Sequence, residues 1–438
     1  VNSTLAIHND PAAIATYAYS YPHKTSYRPL TPPVSIAEAW RDEDVQKLSL
    51  YAHVPFCEMR CGFCNLFTQS QPSERVVDAY LATLKRQMAV IHSSIPEARF
   101  GQFAVGGGTP TFLTARQLEL MLQDVETAFS VSIRNLPTSV ETSPSTATND
   151  RLRLLSDFGV ERISLGVQSF ADDESHHIGR PQQIAAVHAA LDSIRECGFP
   201  VLNIDLIYGF DGQSRESWLT SLRQALRYRP EELYLYPLYV RPETGLARTA
   251  IGFARHRSDL YRAARDLLGE RGYAQSSLRC FRLPHNTSPS TYACQRDGMI
   301  GLGCGARSYT HRIHYATRFA VSQAGIRAIL SEWIALSNRE LSVATHGILL
   351  SDDEQRRRYV IMSLLQADGY CLADYQALFN SSPCADIPEL EFLFDRGWLV
   401  QTSERLVLTI SGLEHSDEAG LLLYSAAVSS RLREFTQL

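Results

Sequence analysis

Three cysteines, Cys57, Cys61 and Cys64, stand at spacings C-x3-C-x2-C directly after a β-like run in which Leu48, Leu50, Ala52 and Val54 alternate with other residues. Thiolates are soft ligands, suited to zinc or to iron–sulfur clusters. A closed structural zinc site takes four protein ligands, usually in two separated pairs, and the next cysteine along this chain is Cys197. A [4Fe–4S] cubane has four irons to ligate, so three cysteines would keep one iron open for an exogenous ligand. The alternatives at this point are three buried structural thiols, or a zinc site completed by His53.

Other chemistry-bearing residues follow at intervals. Gly106-Gly107-Gly108-Thr109-Pro110 is a run in which backbone can approach a ligand with no Cβ in the way, or simply turn tightly. Glu141, in Glu-Thr-Ser-Pro, can accept hydrogen bonds from a ribose or a cationic ligand. Gly166-Val167-Gln168-Ser169-Phe170 comes next, then Arg180 in Ile-Gly-Arg-Pro, and then Asp205 inside the apolar stretch Asn203–Gly209. An aspartate there is costly to bury without a partner or ligand; an Arg180–Asp205 ion pair is the structural alternative to a ligand site. Cys197, Cys280, Cys294 and Cys304 match no compact ligand pattern and read as buried small hydrophobes. His176-His177 and the His311/His314 pair read as packing or surface features, and Tyr51 and Tyr292 as core tyrosines before proton relays.

The elements that must position these residues alternate. Candidate strands are Leu48–Val54, Phe100–Val105, Thr138–Glu141, Arg162–Gln168, Leu202–Tyr208 and Leu233–Tyr239, and helical patterns between them cover Ser73–Ser93, Thr114–Ser130, Asn149–Phe158, Gln182–Cys197 and Ser214–Tyr228. Such alternation implies right-handed crossovers and a parallel sheet. Six strands make an α/β fold of the incomplete (β/α)6 barrel kind, with functional residues at the C-terminal strand ends. The reading divides the chain into an N-terminal arm (1–46), the barrel core (47–250), a connecting segment that completes the active site (251–340) and a C-terminal domain (341–438). The arm is rich in Tyr17, Tyr19, Tyr21, His23, Lys24, Tyr27 and Arg28 and closed by Pro29, Pro32 and Pro33. It is expected to be extended, either packed on the surface or covering the mouth of the site with stacking faces and cations. In the last segment, helices at Asp352–Ala367, near Ile387–Arg396 and over Glu418–Arg433 flank a hairpin, Trp398–Thr402 and Arg405–Thr409, as in winged-helix folds.

With 438 residues, 45% hydrophobic and 20% charged, the chain is ordinary for a globular protein, and its net charge of −5 gives no global reason to expect nucleic acid or an anionic membrane. The segment Asp386-Ile387-Pro388-Glu389-Leu390-Glu391 is acidic where a DNA-reading helix would be basic. No apolar run approaches the roughly 18 residues that span a bilayer, and the first residues lack the layout of a signal peptide. Nine cysteines without framework spacing point to reduced thiols, hence to the cytoplasm. The Asn2-Ser3-Thr4 sequon has no meaning there.

The cysteine spacing resembles the radical S-adenosylmethionine (radical SAM) superfamily, and Gly-Gly-Gly-Thr-Pro-Thr, Gly301-Leu302-Gly303-Cys304-Gly305-Ala306 and the C-terminal region are similar to its oxygen-independent coproporphyrinogen III oxidase-like family. The resemblance covers most of the chain beyond residue 47. It implies a [4Fe–4S] cluster on Cys57, Cys61 and Cys64, a radical SAM barrel, and two adjacent S-adenosylmethionines. Tyr51, Gly107 and Glu141 would contact the first. Phe63, Gly108, Thr109, Gln168, Arg180 and Asp205 would contact the second, and Tyr239 and Arg307 fall at matching positions. One departure matters: coproporphyrinogen oxidases carry a further cysteine two residues past the third ligand, where this chain has Asn65-Leu66-Phe67. That resembles the haem chaperones and the class C methyltransferases and cyclopropanases of the family.

The implied first step is reductive cleavage of S-adenosylmethionine to a 5′-deoxyadenosyl radical. The leading expectation is transfer of a methyl or methylene carbon from the second S-adenosylmethionine to an sp² carbon of a small molecule. Direct hydrogen abstraction from the substrate, as in oxidative decarboxylation, and haem chaperoning without turnover are the other two readings. Expected partners are a small-molecule substrate and a reductant such as flavodoxin or ferredoxin, with no nucleic acid, no membrane, and a monomeric chain.

Overall fold

The computed structural model describes Ala18 and residues 20–249, 256–284 and 297–435. Tyr17, Tyr19, Tyr292, Cys294 and the sequon lie outside the described residues. Six parallel strands stand side by side in chain order: Leu48–Val54, Phe100–Gly107, Thr138–Thr142, Arg162–Gln168, Val201–Tyr208 and Glu232–Pro237. Between them run the helices Glu74–Ser94, Ala115–Phe129, Asn149–Asp157, Ile184–Glu196 and Arg215–Leu226. The first strand is buried along nearly its whole length, as expected of a parallel strand covered on both faces. Val77, Tyr80, Leu84, Met88 and Ile91 are spaced three or four residues apart on their helix and bury one face of it against the sheet.

The sheet continues past the six strands at both sides. Met299–Leu302 joins parallel to Leu48–Val54, and Arg307–Tyr309, Ile313–Ala316, Val343–Leu349 and Arg28–Ser35 follow antiparallel. At the other side lie Cys280–Arg282 and Ala274–Gln275. Among the described residues the barrel is open, its two outer edges being Arg28–Ser35 and Ala274–Gln275.

Several sequence expectations need correction. The proline-closed part of the arm is extended, as expected, but it is not separate from the sheet: Arg28–Ser35 is an edge strand, with a register shift between Pro29 and Val34. Prolines are tolerated there because an edge strand has one hydrogen-bonding side unpaired. The sixth barrel strand ends at Pro237, so Leu238 and Tyr239 lie beyond it. The pattern near Ile387–Arg396 resolves into two short helices, Pro383–Asp386 and Leu390–Asp395, and that over Glu418–Arg433 into Ser416–Leu422 and Ala426–Phe435. The hairpin stands at Leu399–Gln401 and Arg405–Leu408, with Tyr370–Cys371 as a third strand.

Tyr21 and Tyr27 are buried with the C-terminal residues Tyr359, Tyr424 and Val428 in one hydrophobic cluster. Tyr21 also donates to Glu354, which accepts from Ser425 at 2.6 Å. The beginning of the described chain is thereby fastened to its end. The acidic stretch is used internally: Asp386 accepts from Tyr375 and Ser381, both at 2.7 Å, and Glu389 pairs with Arg357 at 3.1 Å.

Candidate functional site

A cavity of about 890 Å³ opens at the C-terminal ends of the barrel strands. Every candidate from the sequence lines it: Cys57, Cys61 and Cys64; Tyr51, Gly107 and Glu141; Phe63, Gly108, Thr109, Gln168, Arg180 and Asp205; Tyr239 and Arg307. These residues are separated by up to 256 positions in sequence, counting from Tyr51 to Arg307, and are brought together by the parallel strands, the loops that follow them and, for Arg307, an antiparallel strand of the same sheet.

The cysteine loop is held by close backbone approaches that demand glycine. A Cβ on Gly108 would meet Phe56 O at 2.5 Å and Cys57 Sγ at 2.9 Å. The Gly108 N–H donates to Val54 O and that of Thr109 to Phe56 O, both at 2.8 Å. On the far side, Gly62 packs against Gly179, its N–H donating to Gly179 O at 3.0 Å. That contact brings Arg180 to the loop, where its Nη1 lies 3.2 Å from Cys61 Sγ while Nη2 donates to Gly166 O at 2.8 Å. Among the described residues Arg180 forms no ion pair with Asp205, so the structural alternative weighed for these two does not occur.

The donor set fits a cubane better than a single ion. Among the described residues no three His, Cys, Asp or Glu side chains are gathered around one metal position, whereas a cubane binds each thiolate at a different iron corner. His53 is not available as a fourth ligand. Its Nδ1 is bonded to Tyr51 OH at 3.1 Å and its Nε2 to Phe67 O at 3.0 Å. Burial pushes the Cys57 thiol up to about 12 and raises Cys64 as well; thiols must lose their protons to bind metal. Cys280 and Cys304 are buried, as small hydrophobes are. His311 pairs with Glu43 at 2.6 Å, and His177 packs on Phe210.

Glu141, one residue before the end of its strand, lies beside the glycine run and accepts from the Gly107 N–H at 3.1 Å, Gly107 itself having φ +115°. Asp205 accepts from Asn203 Nδ2 at 2.7 Å. Gln168 sits at a register shift against the fifth barrel strand with φ +70°. A bulge at a strand end re-aims a side chain and is common beside functional sites. Tyr239 donates to Asp417 and accepts from Arg279 at 2.8 Å, tying the cavity wall to the C-terminal helices.

Both carboxyls are held above the usual carboxylate range, Glu141 at about 7 and Asp205 at about 6, with burial the main cause in each. The Asp205 charge adds to the shift of Glu141, while the Gly107 N–H opposes it; Asn203, Arg162 and Arg180 draw Asp205 back down. The Glu141 side chain is open to the cavity, but that cavity is deep. A carboxyl with a raised pKa keeps its proton longer in the fold than in the unfolded chain, so its contribution to stability is complete at acid pH and is lost as pH rises through about 7. Glu141→Gln lacks this dependence. Urea midpoints of the cluster-free protein should show the variant gaining on the parent between pH 5 and pH 8; a constant difference would refute it.

Residues that sequence reasoning passed over also line the cavity, among them Tyr236, Tyr309 and Arg358. Tyr236 could have been suspected from its strand; Arg358, inside a charged helix pattern, carried no signal. No helix of the described residues is long and apolar enough to cross a membrane.

Comparison with known proteins agrees with this geometry. The Radical SAM superfamily profile matches residues 51–225. The anaerobic coproporphyrinogen III oxidase 1 of Cereibacter sphaeroides is 30% identical over 246 residues, 55% of this chain and 54% of that protein. The heme chaperone HemW of Bacillus subtilis is 34% identical over 199 residues, 45% of this chain and 52% of that one. The chain thus spans about half the length of either relative. The structure of Escherichia coli HemN, a coproporphyrinogen III oxidase, superposes with a TM-score of 0.78 at 20% identity, covering 94% of this chain and 98% of that one. This likeness shows that the fold, C-terminal domain included, is shared. Over residues 51–225 the chain is similar to the radical SAM superfamily, and over about half of its length to HemN-like coproporphyrinogen oxidases and HemW chaperones, with the fold of HemN.

Proposed function

We propose that the chain is a radical SAM enzyme that holds two S-adenosylmethionines and uses the second as donor of a methyl or methylene carbon to an sp² carbon of a small-molecule substrate. The observation that carries this reading is that one cavity is lined by more polar groups than one cofactor needs: the side chains of Tyr51 and Glu141 with the backbone of Gly107, and the side chains of Gln168, Arg180 and Asp205. When bound, the cluster supplies the electron for cleavage of S-adenosylmethionine. Cys57, Cys61 and Cys64 would hold it. Glu141 and the backbone of Gly107 would orient the first cofactor by hydrogen bonding, and Asp205 would face the positive charge of the second. Leu66, rather than a cysteine, stands two residues past Cys64 and lines the same cavity, which argues against the coproporphyrinogen oxidation that the relatives' names describe. In this reading the protein works in the cytoplasm with a flavodoxin or ferredoxin as reductant, as a monomer, and without nucleic acid or membrane.

Anaerobic reconstitution followed by mass spectrometry of the S-adenosylmethionine products tests it. Deoxyadenosine together with S-adenosylhomocysteine is expected. Deoxyadenosine alone, alongside product, would replace methyl transfer by direct hydrogen abstraction. Tight haem binding without turnover would make the chain a chaperone like the HemW relative.

A further inference from the structure

The part of the cavity lining beyond the first barrel strand has a different chemistry. It is built by the antiparallel strands Arg307–Tyr309 and Ile313–Ala316, paired Tyr309 to His314 and Arg307 to Ala316. Because side chains alternate along a strand, Arg307, Tyr309, His314 and Ala316 share one face, and all four line the cavity. Ser308 and Tyr315 face the other way, accepting from the Gly301 N–H at 3.0 Å and from Trp40 Nε1 at 2.9 Å. Across from this hairpin, helix Asp352–Leu364 presents Arg358 and Met362, one turn apart, to the cavity. The two arginines before it turn elsewhere: Arg356 pairs with Asp386 at 3.3 Å, and Arg357 with Asp353 at 2.9 Å and Glu389 at 3.1 Å.

Three basic side chains surround one aromatic ring here. The guanidiniums of Arg307 and Arg358 each lie 5.8 Å from the centroid of Tyr309, and the His314 ring lies 4.5 Å from it. His314 is 1% exposed, and neither Nδ1 nor Nε2 has a hydrogen-bond partner. A buried imidazole so placed is destabilising unless something supplies the missing bonds. Burial and the two guanidiniums hold it neutral, which leaves it one N–H to donate. The acidic residues of the lining, Glu58, Glu141 and Asp205, stand on the cysteine loop and the barrel strands, where Arg180 also lies, whereas the hairpin and this helix bring cationic side chains and no carboxylate to the lining.

We infer that the hairpin and helix end of the cavity is a carboxylate subsite for the substrate, in which Arg307 and Arg358 face the anion and His314 donates its ring N–H to it. Planar guanidiniums suit a carboxylate's two oxygens. The adjoining wall, with Tyr27, Met299, Phe319 and Met362, suits a flat unsaturated body. Arg307, which matches a cofactor position by family resemblance, is assigned by this to the substrate end. The inference rests on the cavity being the active site, as proposed above.

The test uses the full chain with its cluster reconstituted anaerobically and S-adenosylmethionine present without reductant. Binding of 1-naphthoate and of the neutral 1-naphthamide is measured by calorimetry. Naphthoate should bind about tenfold or more tightly than the amide, with the preference shrinking as salt is raised. Arg358→Gln should remove the preference, and His314→Phe should weaken naphthoate binding alone. Arg116→Gln, on an exposed helix face, should change neither. Equal affinities, no saturable naphthoate binding up to millimolar concentration, or a full preference in a folded Arg358→Gln would each overturn the subsite. If that variant does not fold, the preference in the unaltered chain and its salt dependence decide. Deoxyadenosine release after adding dithionite reports on the cofactor end separately: if it persists while the preference is missing, only the subsite falls, and if it is absent, the proposed function falls as well.

Discussion

Replacing Cys57, Cys61 and Cys64 together by alanine is expected to leave a chain that retains no cluster after anaerobic reconstitution, with iron and sulfide at background and no cleavage of S-adenosylmethionine. The three thiols line one cavity on a loop fixed from both sides, by Gly108 against Phe56 and by Gly62 against Gly179. The remaining described cysteines are placed elsewhere: Cys280 and Cys304 in the core, and Cys197, Cys371 and Cys384 in helices, strands and turns away from the cavity lining. His53, the other candidate ligand nearby, has both ring nitrogens engaged. Single replacements should also fail, since an iron corner that loses its thiolate gains no other protein ligand from this lining. Fold and cluster are read separately by circular dichroism and by iron analysis. Retention of a stoichiometric [4Fe–4S] centre in a folded triple variant would show that the ligands are elsewhere.

The parallel strands and the cysteine loop were legible in the sequence because their signals are local. Strand runs such as Arg162–Gln168 carry an apolar residue at every second position, Ile163, Leu165 and Val167, all buried, and the glycines and cysteines sit at or just past strand ends. What was not legible depended on pairings distant in sequence. Arg28–Ser35 looked like an arm because its prolines argue against a strand, and only its edge position beside Val343–Leu349 makes them acceptable. Arg358 read as one of three arginines on a charged helix, and nothing local separates it from Arg356 and Arg357, whose carboxylate partners come from Asp386, Asp353 and Glu389. His314 looked like a packing histidine. It is packed, but its unpartnered ring nitrogens appear only once the hairpin is seated on the cavity. The Arg180–Asp205 pair was a reasonable expectation from charge alone. The Gly62–Gly179 contact instead carries Arg180 to Cys61, and Asp205 is satisfied by Asn203.

Asp205→Asn is expected to lower product formation by about ten- to a hundredfold, on the basis of roughly 1.5–3 kcal/mol for a hydrogen bond to a charged group, while deoxyadenosine release persists. Asp205 sits on the fifth barrel strand, beside a polar layer in which Arg162 donates to Glu232 at 2.7 Å and Asn203 to Ser164 at 3.1 Å. Asp205 and Ser164 are the members of that layer that line the cavity, and Asp205 is the charged one of the two. An asparagine preserves the shape of the side chain and removes the charge. The fold and the cluster loop, which Asp205 does not touch, should therefore survive. A carboxylate whose burial raises its pKa to about 6 gains most from a cationic ligand, because the ligand's charge offsets the desolvation that raised it. The second S-adenosylmethionine, with its sulfonium and amino charges, is such a ligand in the proposed reading. Equilibrium binding to the cluster-loaded chain should give two S-adenosylmethionines for the parent and one for Asp205→Asn. If the parent binds one and still forms product, Asp205 serves the substrate or the barrel, and a mechanism with two cofactors is wrong. If the variant binds two and turns over normally, the carboxylate's charge is not part of the site, and the second cofactor must be held by Gln168 and Arg180 without it.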